Sequence, residues 1–272
     1  MSATFTDEAT ATPTKPLTGT LVVVGSGIKS VAHLTMEAKA RIEWADQVLH
    51  CVADGVTDAY IRELNPSTED LHVYYGNGKR RRQTYEEMSE RICTHVRRGL
   101  NVCVVMYGHP GVFVHPTYHA MDALRAEGYR CEMLPGISAE DCLIADLGID
   151  PAPEGMQTYE ATAFLVRQHV VDVHVPLVLW QVGCVGDSGY DRKGFDSRNL
   201  HVLVERLQEL YSPDHEVVIY EAAQHPLADA RIRVYKLPEI GPEDVTGIST
   251  MFVPPIAPAP VDRAMAERLG ML

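Results

Sequence analysis

The ten residues Val102-Cys103-Val104-Val105-Met106-Tyr107-Gly108-His109-Pro110-Gly111 constrain this chain more than any other stretch. An unbroken apolar run ends abruptly in a loop of Tyr, His, Pro and two glycines. A short apolar run bounded by breakers predicts a buried strand of a parallel sheet. Open α/β sheets bind ligands just beyond the carboxyl ends of such strands. Gly108 and Gly111 leave no Cβ in the way of a ligand, and Tyr107 and His109 add polar groups to the same loop. An ordinary strand-to-helix turn needs no such cluster, so the loop is read as part of a ligand site.

The rest of the chain fits that sheet. Residues 19–25 predict a second buried strand, ending at Gly25-Ser26-Gly27. A helical pattern follows near 35–45, then a strand at 47–52, a helix near 56–64 and a short strand near 71–75. Thr84-x-x-Glu87 has capping-box spacing and predicts a helix burying Met88, Ile92 and Val96 and ending near Gly99. A helix from about 116 to Gly128 and a strand at 130–134 come next. They lead to Pro135-Gly136-Ile137-Ser138, where Ser138 is placed to cap a helix with Glu140 and Asp141 in its first turn. Such alternation predicts a mostly parallel sheet with helices on both faces. Beyond the turn-rich connector 150–155, strands are expected near 157–160, 176–182, 216–221, 232–236 and 249–253. Helices are expected near 163–170 and 199–210, with an aperiodic Gly/Asp-rich stretch at 183–198. The expected architecture is α/β with two α/β domains, residues 19–150 and 151–255, and a cleft between them. A disordered tail at 1–18 and a C-terminal tail at 256–272 flank them.

Bulk properties exclude several classes. The formal net charge of −13 argues against nucleic acid as a partner. The longest apolar runs, such as 102–107 and 175–180, are too short to span a bilayer. The first sixteen residues lack the basic-then-apolar pattern of a secretory signal. The six cysteines are scattered without a CxxC pair or zinc-type spacing, which predicts reduced thiols, a cytoplasmic location and no metal.

Four further segments carry chemistry or its appearance. Gly25-Ser26-Gly27-Ile28-Lys29-Ser30 begins like a dinucleotide fingerprint, but Ser30 stands where the third glycine belongs. The acidic residue expected about twenty positions on is Asp46, inside the predicted helix. The segment is read as a tight turn lining a site. The run from Tyr74 to Tyr85 combines Gly76 and Gly78 with Arg80, Arg81 and Arg82 and flanking tyrosines. It reads either as a solvated basic loop or as acid–base and oxyanion machinery, because guanidinium forks two donors at one oxygen and favours phenolate in a neighbouring tyrosine. Residues 135–142 read as a well-capped helix start, and Gln181 to Gly186 as another strand exit built of small residues. Of the twelve histidines, none cluster like metal ligands, and His109 alone has a functional setting.

Together these motifs resemble the tetrapyrrole-methylase-like, class III S-adenosylmethionine methyltransferases. More narrowly they resemble the borosin peptide α-N-methyltransferases, which methylate backbone amides of a precursor peptide. The resemblance covers about residues 18–255. It rests on Val24 to Ile28, Tyr75 to Tyr85, Tyr107 to Phe113, Leu134 to Cys142, Gln181 to Gly186 and Ile248 to Thr250, with Tyr-x-Asn-Gly-Lys-x-Arg-x-x-Thr-Tyr as its specific part. It implies S-adenosylmethionine, with S-adenosylhomocysteine as product, in the interdomain cleft against Tyr107, His109, Val112, Phe113, Ser138, Ala139, Gln181, Ala222, Ser249 and Thr250. It also implies that Tyr75, Arg81 and Tyr85 act on the amide and that Tyr107 aligns the methyl transfer.

Fused borosin enzymes carry their own apolar core peptide, whereas residues 256–272 read as a Pro/Ala linker and a short helix. The resemblance therefore implies the split arrangement: a separate precursor peptide with a leader or binding domain, and a homodimeric enzyme that can form a heterotetramer with two precursors. The alternatives are a methyltransferase of a small tetrapyrrole and a non-catalytic S-adenosylmethionine-binding interaction protein.

Overall fold

The computed structural model describes residues 18–76, 78–187 and 194–272. Residues 1–17 of the expected tail, Asn77 and residues 188–193 of the aperiodic stretch lie outside the described residues. The first half alternates β1 (Thr20–Gly25), α1 (Met36–Trp44), β2 (Gln47–Cys51), α2 (Gly55–Leu64), β3 (Thr68–Asp70), α3 (Arg81–Arg97), β4 (Asn101–Met106), α4 (His115–Ala126), β5 (Arg130–Met133) and α5 (Ala139–Leu147). Its sheet has the order β3-β2-β4-β1-β5 and is parallel throughout.

Sheet burial explains why β1 and β4 read as continuous apolar runs. Leu21, Val23, Leu49, Val102 and Val104 pack with Met88, Ile92 and Leu124 of α3 and α4 on one face. Val22, Val24, Val48, Cys103 and Val105 pack with Ala38, Ile42 and Ile61 of α1 and α2 on the other. Both faces are dry, so period-two alternation has nothing to mark.

The second half holds β6 (Gln157–Glu160), α6 (Ala161–Val166), β7 (Leu177–Trp180), α7 (Leu200–Gln208), β8 (Glu216–Glu221), β9 (Arg231–Lys236), β10 (Thr250–Val253) and α8 (Arg263–Arg268). Its sheet runs β6-β7-β10-β8-β9. Only β6 and β7 pair in parallel; the other neighbours are antiparallel. One face packs on α6 and α7. The other turns Val178, Trp180, Tyr220 and Phe252 toward Ile28, Cys142 and Leu143 of the first half. The two sheets thus meet through α5 and the exit loop of β1.

Three local expectations are corrected. The short strand near 71–75 is a 3₁₀ turn at Leu71–Tyr74, and the strand lies earlier at Thr68–Asp70. Asp70 ends it because its carboxylate accepts from the His72 amide at 2.8 Å, which turns the chain. The Thr84-x-x-Glu87 capping box does not form. Helix α3 starts a turn earlier at Arg81, Thr84 is buried inside it, and Glu87 instead pairs with Lys79. Asp46 is not helical but follows α1, where its carboxylate accepts from the Asn101 amide at 2.8 Å. The Ser138 cap is as read: its hydroxyl accepts from Asp141 N, and the Asp141 carboxylate accepts from Ser138 N at 2.7 Å.

Candidate active site

Beyond the carboxyl ends of β1, β2 and β4, a cavity of about 320 Å³ opens between the two sheets. The loop after β4 forms its floor. Gly27 and Gly108 exchange backbone hydrogen bonds at 3.2 and 3.0 Å, so the exit loops of β1 and β4 lie directly on each other. A Cβ on Gly25 would stand 2.1 Å from the Gly108 carbonyl oxygen. That close approach explains one glycine of the fingerprint-like Gly25-Ser26-Gly27: Gly25 makes room for the neighbouring loop, Gly27 makes room for His33, and Ile28 behind them reaches the cavity.

Tyr107, His109, Val112 and Phe113 line the cavity from this loop, Ser138 and Ala139 from the start of α5, and Gln181, Ala222 and Thr250 from the second sheet. Tyr75 and Tyr85 line it from the turn before α3 and the first turns of that helix. Phe113 and Gln181 hold φ of +56° and +59°, left-handed values that cost a non-glycine residue about 1–3 kcal/mol. Both residues face the cavity, whereas Val31, the third such residue among those described, at φ +60°, does not. His109 Nδ1 accepts from Gly111 N at 3.0 Å, which holds the ring against its own loop.

Two candidate residues lie elsewhere. Ser249 is fully buried and does not line the cavity. Its hydroxyl donates to Glu221 Oε1 at 2.5 Å and accepts from Thr246 N at 2.7 Å. The same Glu221 oxygen accepts from Thr246 Oγ1 at 2.8 Å and from Arg231 at 2.9 Å. One carboxylate therefore ties down the segment 246–249, whose Gly247 and Ile248 do line the cavity. Arg81, the first residue of α3, is not in the lining either, but it lies close enough to Tyr75 and Cys184 to act on both electrostatically.

Electrostatics reverse one expectation. Burial raises the Tyr75 phenol well above its ordinary value, and a hydrogen bond with Tyr85 adds to this; Arg81 opposes but does not win. Tyr75 is therefore a neutral phenol, not a phenolate prepared by its arginine. Burial likewise pushes Tyr107 up to about 12. Tyr220 is raised by burial and by donating to Asp146 Oδ2 at 2.7 Å. Among the described residues no group of three or more His, Cys, Asp or Glu side chains is placed to hold a metal ion, and no helix is long and apolar enough to cross a membrane.

Several lining residues were not among the expected site residues: Cys51, Met88, Trp180 and Tyr220, together with Met106 and Ile248, which lie inside the quoted motifs. Cys51, Met106 and Trp180 are the last residues of β2, β4 and β7. The rule that pointed to Tyr107, ligands beyond carboxyl ends of strands, would have found them had it been applied to every strand.

Residues 20–240 match the family of Tetrapyrrole (Corrin/Porphyrin) Methylases, and the chain belongs to it. Among curated relatives, it is 46% identical over 267 residues to the methyltransferase/ribosomally synthesized cyclic peptide dendrothelin A precursor dbihMA of Dendrothele bispora (strain CBS 962.96), covering 96% of this chain and 63% of that protein. It is also 46% identical over 266 residues to the corresponding omphalotin A precursor ophMA of Omphalotus olearius, covering 96% of this chain and 64% of that one. The chain thus spans somewhat less than two thirds of the length of either relative. Uroporphyrin-III C-methyltransferase from Thermus thermophilus superposes with a TM-score of 0.63 at 20% identity over 92% of this chain and 96% of that one. Its complex with S-adenyl homocysteine gives 0.55 at 20% identity over 87% and 92%. The architecture is the α/β tetrapyrrole methylase fold.

Proposed function

We propose that this chain is an S-adenosylmethionine-dependent methyltransferase that α-N-methylates backbone amides of a ribosomally made precursor peptide supplied as a separate chain. The observation that carries the reading is convergence: the Tyr75–Tyr85 pair and the Tyr107–Phe113 loop face one cavity, although about thirty residues separate them. Similarity to proteins named as methyltransferases of cyclic peptide precursors supports the peptide as acceptor. Both of those names describe enzyme and precursor together, which supports a precursor peptide as the kind of acceptor. We further propose a homodimer that binds two precursors through their leaders.

The residues present fit the cofactor. The cavity volume is in the range of small-molecule sites, its walls are largely apolar and aromatic, and Gly108 brings backbone to the lining without a side chain. Tyr107, His109, Val112, Phe113, Ser138, Ala139, Gln181, Ala222 and Thr250 would hold it. When bound, it supplies an electrophilic methyl group on a sulfonium.

The acceptor is the harder partner. Resonance ties the amide nitrogen's lone pair into its carbonyl, so the nitrogen becomes nucleophilic only as its proton leaves and charge builds on oxygen. Arg81, at the N-terminal end of α3 and close enough to Tyr75 to act on it electrostatically, stabilises the charge on that oxygen from just behind the lining. Tyr75 or Tyr85 receives the amide proton. Tyr107 aligns acceptor and methyl, a positioning effect.

The test is incubation of the purified chain with S-adenosylmethionine and a Val/Ile/Gly-rich peptide, read by tandem mass spectrometry. Stepwise methyl increments on peptide backbone amides are expected. Methyls on residues 256–272 instead would overturn the separate acceptor. A methylated tetrapyrrole with no methylated peptide would overturn the peptide reading and leave the fold standing.

A further inference from the structure

A neutral phenol takes a proton from an amide only by passing its own proton on. Burial keeps Tyr75 neutral, so the cavity needs a way out for a proton. Cys51, the last residue of β2, lines the same cavity as Tyr75 and lies close enough to act on it electrostatically. Its Sγ lies 3.4 Å from His72 Nε2, and His72 Nδ1 lies 2.8 Å from Asp70 Oδ1. A carboxylate only accepts, so Asp70 fixes the proton on Nδ1 and leaves the Nε2 lone pair facing the thiol. Burial pushes the Cys51 thiol up to about 12, so the sulfur carries its proton and donates it. The other end is open, with the His72 side chain 44% exposed. A hydrogen-bonded chain therefore runs from the cavity wall to solvent.

We propose that Cys51, His72 and Asp70 form the proton exit of the reaction, with Cys51 passing its proton to His72 Nε2 as it receives the one displaced through Tyr75. This rests on the methyl-transfer reading above. The sulfonium S–CH₃ bond breaks as the N–CH₃ bond forms. The amide proton replaces the phenol proton of Tyr75, that proton replaces the thiol proton of Cys51, and the thiol proton ends on His72. Water then removes it, so the positive charge lost by the sulfonium leaves as a proton. Asp70 stabilises the imidazolium in between. Its own carboxyl is raised by burial, but the hydrogen bonds from His72 outweigh this and hold it below the ordinary range.

The charged surroundings of His72 are few. From β2 come Cys51 and His50, the latter 2.9 Å from Asp58 of α2 and near Arg62. From its own turn come Asp70 and Tyr75, whose ring centre is 6.1 Å away. On the α3 side, Arg91 is held by Glu69 at 2.8 Å.

The experiment measures kcat, its pH profile and cofactor Kd for wild type, His72→Ala, Cys51→Ala and Cys51→Ser with the Val/Ile/Gly-rich peptide. His72→Ala should lower kcat about a hundredfold, leave cofactor Kd unchanged, change the pH profile, and recover activity with added imidazole. Cys51→Ser, which keeps a hydroxyl donor, should lose less than Cys51→Ala. Wild-type kcat and pH profile in His72→Ala overturn the proposal, as does a folded His72→Ala that binds cofactor yet gains nothing from imidazole. Failure of the wild-type enzyme itself to methylate any peptide would overturn the methyl-transfer reading and this proposal together.

Discussion

Truncating Glu221 to Ala should destabilise the protein by about 3 kcal/mol, and the figure follows from two of the three hydrogen bonds to one of its oxygens. Glu221 Oε1 accepts from Ser249 Oγ, Thr246 Oγ1 and Arg231 Nη1 at 2.5, 2.8 and 2.9 Å. Arg231 is about a third exposed and keeps the Asp244 carbonyl at 2.8 Å, so water and that oxygen replace most of what it loses. The two hydroxyls have no such replacement. Ser249 is fully buried, and hydrogen bonds to a charged group contribute about 1.5–3 kcal/mol each. Taking the lower end for both, because Thr246 is half-buried, gives about 3 kcal/mol. At about 2–4 °C per kcal/mol, the melting temperature should fall by roughly 6–12 °C. Urea unfolding and thermal melts measure the loss. A cycle with Ser249→Ala separates the pair, and the double variant should lose less than the sum of the singles. Because the segment so anchored supplies Gly247 and Ile248 to the cavity, cofactor affinity should weaken in parallel. A stability loss below about 1 kcal/mol would refute the assignment of Glu221 as the anchor, since a single neutral bond already contributes about that.

Arg81→Lys and Tyr85→Phe should each leave cofactor binding intact by calorimetry while lowering methyl transfer by about a hundredfold or more; near wild-type turnover in both removes that turn from the mechanism. Gly25→Ala puts a methyl 2.1 Å from the Gly108 carbonyl, so the two exit loops must separate, and thermal melts should show a loss of at least about 2 kcal/mol. Gly108→Val adds bulk to the cavity lining at φ +71°, and calorimetry should show weakened binding of S-adenosylhomocysteine. Asp141 is raised by burial but lowered further by its hydrogen bonds from Ser138, so its folded pKa lies below the unfolded one. Its stabilisation is complete above the ordinary aspartate range of about 4 and is lost as pH falls through the depressed folded value; Asp141→Asn should flatten that acid limb in pH-dependent unfolding.

Elements whose signal is local were legible in the sequence. Strands β1 and β4 show as apolar runs because both their faces are buried, and Ser138 shows as a cap because three residues settle it. The loop 107–113 was marked as a ligand site by composition alone, and it does line the cavity. The misreadings were also local in cause: Leu71 to Tyr75 has the alternation of a strand, and only the Asp70 side chain turning the backbone makes it a 3₁₀ turn.

What the tertiary structure decided is everything that depends on proximity across the chain. Ser249 sits two residues from a cavity-lining glycine, yet its hydroxyl faces Glu221, 28 residues away in sequence. Cys51 meets His72 because β2 and β3 run side by side and end at the same edge of the sheet. Tyr75 keeps its proton because desolvation, a sum over surrounding residues from β2 and α3, outweighs one nearby guanidinium. Periodicity and capping are properties of a few consecutive residues and can be read from order alone. Burial and hydrogen-bond partners are set by packing between distant segments, and they emerge only when the two sheets close around the cavity.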